Sequence, residues 1–275
     1  MVVIAILILS FTVSLRPEPK TIGNYSDTKV IPGHAHNDYE NENPLHDALK
    51  NGFISVEADV HLLNDQLYVS HDHPKELKPE MTLKSLYLDP LKKHIARHNG
   101  HVYTGYKGPF YLMIDFKTAA GPTYKKLKSI LKDYLSMLSL VEDGVEKKRP
   151  VKIFISGNRP FKEVLNDEPK LVGLDGRPRD LDKNIPASIM PVVSDHYFNI
   201  LSWMGEGKIH KKALNKFKKL VEETHAQGKK LRLWAAPDIP AVWRFLLEHD
   251  VDLINTDRVE AYREFYMQYN ALNSH

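Results

Sequence analysis

Eight short apolar runs, most of them followed by a helical stripe, limit what this chain can fold into. They cover 30–34, 53–59, 110–116, 151–155, 171–174, 189–193, 231–235 and 253–256. Phe110–Phe116 (FYLMIDF) is apolar almost throughout, as expected of a strand covered on both faces. Asn43-Pro44 opens a helix with Leu45, Ala48 and Leu49 on its apolar face, Gly52 stops it, and the run at 53–59 follows at once. Strand, helix and strand in so short a span make a βαβ unit and imply parallel pairing. Longer stripes repeat the pattern. Tyr124, Leu127, Leu131, Tyr134, Leu135 and Leu138 recur at helical spacing after Gly121-Pro122, and Ile209, Ala213, Phe217, Leu220 and Val221 do so before Gly228. Leu67–Ser70 reads as a hairpin-like extension beyond an Asn64-Asp65 turn. With 275 residues there is room for one large α/β domain or two small ones. No long linker divides the chain after residue 30, and there is no internal repeat. The expectation is one domain over 30–275, a (β/α)8 TIM barrel, with a doubly wound open sheet as the alternative.

Charge and termini narrow the partners. A formal net charge of +3 is mild for this length and gives no reason to expect nucleic acid. The lysine doublets at 125–126, 211–212 and 218–219 fall on polar faces of the expected helices, where solvation explains them; recruitment of anionic headgroups is the alternative. The chain has no cysteine, which excludes disulfides, thiolate metal sites and cysteine nucleophiles. Residues 2–14, VVIAILILSFTVS, are too few to span a bilayer but fit the apolar region of a secretory signal. No Lys or Arg precedes them and no clean cleavage motif follows. Residues 1–29 are therefore read as a signal-like segment and polar linker, and the protein is expected to be secreted or periplasmic.

Chemistry concentrates between Gly33 and His73, in GHAHNDY, VEADVHL and LYVSHDH. Glu57 and Asp59 stand two residues apart in a strand and so share a face, as two carboxylate ligands for one hard cation must. His34, His36, His71 and His73 flank them, and histidines on either side of a carboxylate-bound metal can act as acid and base on opposite sides of a bond. In a barrel of this kind active sites gather at the C-terminal ends of the strands. Asp115, inside an apolar run, needs a partner there and would complete an oxygen-rich site for one Mg²⁺ or Ca²⁺ with Glu57 and Asp59. Lys117 would face the same side and hold a phosphate oxygen. Arg159 is a candidate phosphate contact or a loop-bracing ion pair. His36 and Asn37 are expected to orient His34 or line the site, and Trp234 to form an apolar wall. The stretch Tyr197–Met204, with Phe198, Leu201, Trp203 and Met204, either touches lipid or packs beneath a long loop.

His34, Glu57-Ala58-Asp59, His71-Asp72 and Asp115 together resemble the phosphatidylinositol-phospholipase-C-like phosphodiesterase superfamily, which includes glycerophosphodiester phosphodiesterases and sphingomyelinase D. GHAHNDY with VEADV and SHD is most similar to its altered-inheritance-of-mitochondria type 6 branch. Two positions depart from the glycerophosphodiesterase pattern: Ala35 stands where an Arg usually follows the first His, and Asp115-Phe116-Lys117 replaces an E-x-K pair. The departures bear on the substrate more than on the phosphodiester chemistry.

The resemblance implies a phosphoric diester hydrolase or lyase acting on a glycerophosphodiester or phospholipid, with His34 and His71 as the acid–base pair and one divalent cation on Glu57, Asp59 and Asp115. Membrane-surface contact would follow from a lipid substrate. One rival is a multinuclear metal-dependent hydrolase of the amidohydrolase or histidinol-phosphatase type, suggested by the H-x-H of His34 and His36, by His196 and by Asp257. The other is a barrel that binds lipid without catalysis.

Overall fold

In the computed structural model, which describes Tyr25 and residues 27–273, eight parallel strands close on themselves. They are β1 (Ile31–Ala35), β2 (Phe53–Leu63), β3 (Phe110–Phe116), β4 (Val151–Gly157), β5 (Gly173–Gly176), β6 (Val192–His196), β7 (Lys230–Trp234) and β8 (Leu253–Thr256). Each pairs with the next in sequence, and β1 pairs with both β2 and β8, which closes the ring. The (β/α)8 barrel expected from the spacing of the apolar runs is the observed fold. The apolar run at 2–14 lies outside the described residues, as does most of the linker.

Among the described residues seven α-helices surround the ring: α1 (His46–Lys50), α2 (Asp89–Arg97), α3 (Ala120–Leu131), α4 (Phe161–Asn166), α5 (Lys211–Ala226), α6 (Pro240–Glu248) and α7 (Val259–Leu272). Between β5 and β6 the helical element is a 3-10 helix, Pro178–Lys183, in place of an α-helix. The main core lies between strands and helices, where Trp243 packs edge-on against Tyr262, and Tyr262 against Phe53. A smaller cluster of Ile54, Tyr111, Met113, Phe154, Val192 and Leu253 comes mostly from the first halves of the strands and plugs that end of the barrel. Beyond it, along the same strands, the inward positions turn polar.

Three local features differ from the expected boundaries. β5 and β6 begin two to three residues later than 171 and 189. Pro191 has no N–H to give a ladder, and Lys170 pairs with Val141 instead of with the barrel. Val141 belongs to a hairpin, Leu140–Glu142 with Val145–Lys147, that the apolar-run count passes over. Its turn is Asp143-Gly144, both residues at positive φ, a sequence signal for such a turn. The hairpin expected at 64–70 is present. Gln66–Val69 pairs antiparallel with the end of β2 through a turn in which Asn64 and Asp65 have φ of 46° and 57°.

Candidate active site

The period of two along each strand carries Ser55, Glu57 and Asp59 of β2 to the inside of the ring, and Met113 and Asp115 of β3 beside them. The register pairs Glu57 with Met113 and Asp59 with Asp115. The three carboxylates converge: one oxygen from each of Glu57, Asp59 and Asp115 lies within 4.8 Å of the others. Glu57 and Asp59 are buried, and Asp115 is the one residue of its strand that is not fully so.

The return of the hairpin explains how His71 reaches this site. Val60 pairs with Val69, the Ser70 amide donates to the Asp59 carbonyl at 3.1 Å, and His71 Nδ1 donates to Asp59 Oδ2 at 3.0 Å. On the other side, β1 brings His34 against β2. Its Nδ1 is hydrogen-bonded with Ser55 Oγ at 2.7 Å, and its Nε2 donates to Glu57 Oε2 at 3.3 Å. The two imidazoles thus bracket the Glu57–Asp59 pair. They differ in access: His34 is fully enclosed, and the His71 side chain is 56% exposed. Burial first, then the Arg232 charge and His36, holds His34 well below the usual imidazole value, against a pull from Asp175.

The contacts of Asp59 all fall on one oxygen. Oδ2 accepts from Tyr39 Oη at 2.8 Å, from Lys117 Nζ at 2.9 Å and from His71, whereas Oδ1 is buried with no partner among the described residues. An uncompensated carboxylate oxygen in the interior is costly, and a hard cation shared with Glu57 and Asp115 would satisfy it. Lys117 also reaches Asp115 Oδ1 at 3.2 Å. Burial raises Asp115 above the ordinary carboxylate range, and Asp59 and Glu57 add to this against the pull of Lys117. Lys117 itself is raised, because Asp59 and Asp115 outweigh its desolvation. Donor set, orphaned oxygen and crowded negative charge all fit one oxygen-ligated cation.

Gly157, which ends β4, keeps room for this arrangement. At its φ of +63° a Cβ would stand 2.4 Å from Asp115 Oδ1, so only glycine serves there.

Around the acids, His36 Nδ1 donates to Asp257 Oδ1 at 2.7 Å, and its Nε2 is 3.9 Å from Glu57 Oε2. Desolvation lowers His36, but Asp257 and Glu57 reverse this and leave it raised. Asn37 sits in the left-handed region and opens the short turn Asp38–Glu40, its carbonyl accepting from Glu40. Trp234 forms part of an aromatic rim, edge-on to His196 with ring centroids 4.3 Å apart, and Phe198 flanks His196 and is exposed. Within 197–204, Tyr197, Ile200 and Leu201 pack inward, while Phe198 and Met204 face solvent. Arg159 is bound elsewhere, bonding Asp180 Oδ2 at 3.2 Å and the Asp175 carbonyl, so it braces the loop.

Arg232 and Tyr39 are functional candidates that sequence reasoning passed over. Arg232 is buried in β7, where Nη2 donates to Glu57 Oε2 at 3.1 Å and Nε to Asn255 Oδ1 at 2.9 Å. Its signal was present in LRLWA: a charge inside an apolar run, two residues before Trp234 and on the same face.

Comparison with known proteins follows the same lines. The profile of the AIM6-like phosphodiesterase domain matches residues 24–171, more than half of the chain. An altered inheritance of mitochondria protein 6 homolog from Arthroderma benhamiae is 29% identical over 267 residues, covering 86% of this chain and 84% of that protein. Altered inheritance of mitochondria protein 6 from Eremothecium gossypii is also 29% identical, over 84% of this chain and 68% of its own. The crystal structure of a glycerophosphodiester phosphodiesterase from Parabacteroides distasonis superposes with a TM-score of 0.54 at 15% identity, over 86% of this chain and 97% of that one. This last likeness is one of fold.

Proposed function

The chain belongs to the AIM6-like phosphodiesterase family, and on that premise we propose that the barrel mouth cleaves a phosphodiester with help from one divalent cation. The observation that carries this is Asp59, with one oxygen saturated by three donors and the other buried, unpartnered and within reach of Glu57 and Asp115. Glu57, Asp59 and Asp115 would hold the cation, which when bound offsets negative charge on the non-bridging phosphate oxygens. His34 and His71 stand on opposite sides of the acid pair. One takes a proton from the attacking hydroxyl or water and the other returns one to the leaving oxygen. The hydrogen bond from His71 Nδ1 to Asp59 occupies that nitrogen and leaves Nε2 to exchange the proton. Lys117 adds positive charge beside the phosphate, and Arg232 and Tyr39 fix the carboxylates. The rim of Trp234, His196 and Phe198 supplies an apolar surface for the alcohol portion of a glycerophosphodiester or phospholipid.

Among the described residues, the grouping with metal-ligand spacing is made of carboxylates without histidine, which speaks for Mg²⁺ or Ca²⁺ over a multinuclear transition-metal site. A phosphorus NMR screen over glycerophosphodiesters, phosphatidylinositol, lysophospholipids and sphingomyelin tests the proposal. Turnover that needs added Mg²⁺ or Ca²⁺ and stops with chelator supports it. No turnover of any of them leaves only a lipid-binding barrel.

A further inference from the structure

A second polar concavity lies at the opposite end of the barrel. About 680 Å³ in volume, it opens among the first residues of β3, β4, β7 and β8 and the loops that lead into them. That is ample for a small organic phosphate. The apolar plug containing Tyr111, Met113 and Phe154 separates it from the acids of the mouth.

Its lining is strongly cationic. Two carboxylates are present, and both are already engaged: Asp252 takes Lys230 at 3.1 Å and His225 at 2.8 Å, and Glu146 takes Lys152. Lys107, Lys148, Arg149 and Lys229 also line the space, and none of them makes an ion pair with a described residue. Arg149 bonds the Leu135 carbonyl and Lys229 the Gln227 side-chain oxygen, both neutral acceptors, with the Asp180 carboxylate acting on Lys229 from farther off.

Solvated surface lysines are the ordinary explanation for such a cluster, but this one has a buried floor. Lys152 is only 7% exposed, and desolvation lowers it below the ordinary lysine value despite Glu146. The Tyr111 hydroxyl lines the cavity with no hydrogen-bond partner among the described residues. Burial raises its pKa above the usual tyrosine value, so it stays a donor. A concavity with low-dielectric walls focuses this charge, and an anion entering it would meet several cations and a free O–H donor at once.

We propose that this cavity binds a small multivalent phosphate anion, with Lys107 and Lys148 at its lip and Lys152 and the Tyr111 hydroxyl at its floor. The site is independent of the catalytic reading, since it shares no residue with the mouth.

Inorganic pyrophosphate is the probe, titrated calorimetrically into the full chain with chelator present and at physiological ionic strength. One saturable site is expected. It should weaken about tenfold or more in the double variant K107E/K148E, which alters exposed side chains only, and by several-fold in Tyr111→Phe. His71→Ala, at the mouth, should bind pyrophosphate as the parent does, and K107E/K148E should keep the parent's phosphodiesterase rate. Absence of saturable binding, binding unchanged in K107E/K148E, or binding lost in His71→Ala would each overturn the assignment. So would capture by anionic vesicles that K107E/K148E abolishes without any pyrophosphate binding, which would give the cluster to a membrane surface.

Discussion

Asp59 and Asp175 are both fully buried inside the ring, yet their surroundings are opposite in kind. Every contact a carboxylate wants is present at Asp175: Ser156 donates at 2.9 Å and Arg177 at 2.6 Å to Oδ2, and Ser194 at 2.6 Å to Oδ1. At Asp59 three donors crowd onto Oδ2 and Oδ1 has none. The β4–β6 side of the barrel is closed electrostatically and serves stability. The β1–β3 side is left unsatisfied, as the proposed cation site requires. Two carboxylates that look alike in sequence and burial are thus told apart by what remains unsatisfied.

The largest expected contrast is between Asp175→Asn and Asp59→Asn. Removing the Asp175 charge strands Arg177 and two serine hydroxyls and should cost roughly 3 kcal/mol in denaturant unfolding. Asp59→Asn should cost clearly less stability while abolishing cation-dependent turnover. Equal stability losses would erase the distinction. Next come His34→Ala and His71→Ala, each expected to lower turnover by at least about two powers of ten with circular dichroism unchanged; full activity in either would remove that histidine from the mechanism. Smaller again is the effect of the cation on the folded state. At about a hundred times its dissociation constant, Mg²⁺ or Ca²⁺ should stabilise the parent by about 2.7 kcal/mol and leave Asp59→Asn unmoved, and a shift of equal size in both would place the ion elsewhere.

The smallest effect per step measured, here per pH unit, concerns a third buried acid. Asp38 accepts from the Leu45 amide and Tyr87 through Oδ2, and its Oδ1 is unpartnered among the described residues. Desolvation raises it to about 7, so the native state keeps a proton that the unfolded chain releases near pH 4. Its contribution therefore falls as pH rises from about 4 to 7, by at most about 1.4 kcal/mol per pH unit. Asp38→Asn should flatten that slope in thermal melts from pH 5 to 8, and an unchanged slope would show that Asp38 titrates as an ordinary carboxylate.

Much of this was legible in the chain. Apolar runs of strand length, spaced by helical stripes, specify the barrel through burial alone, and an i, i+2 acid pair specifies a shared face whatever its neighbours do. Asp115 announced itself because an acid within FYLMIDF has to be met by something. What escaped depends on partners distant in sequence. Arg232 acquires its role only when β7 is set across from Glu57, and Gly157 matters only because β4 runs beside Asp115. Arg159 turned to Asp180 because the loop after β5 folded toward it. The β5 and β6 boundaries moved where Pro191 and the Val141–Lys170 bridge redirected pairing.

His71 is carried by a strand that leaves the ring and doubles back, held to β2 by the four pairs from Val60–Val69 to Leu63–Gln66. Its position is consequently metered in steps of one residue, like a ratchet. Deleting a single residue between Gln66 and Ser70 would swing the imidazole to the far side of the ribbon while every barrel strand kept its place, so the reach of this histidine can be re-indexed by evolution or design without touching the scaffold that holds the acids.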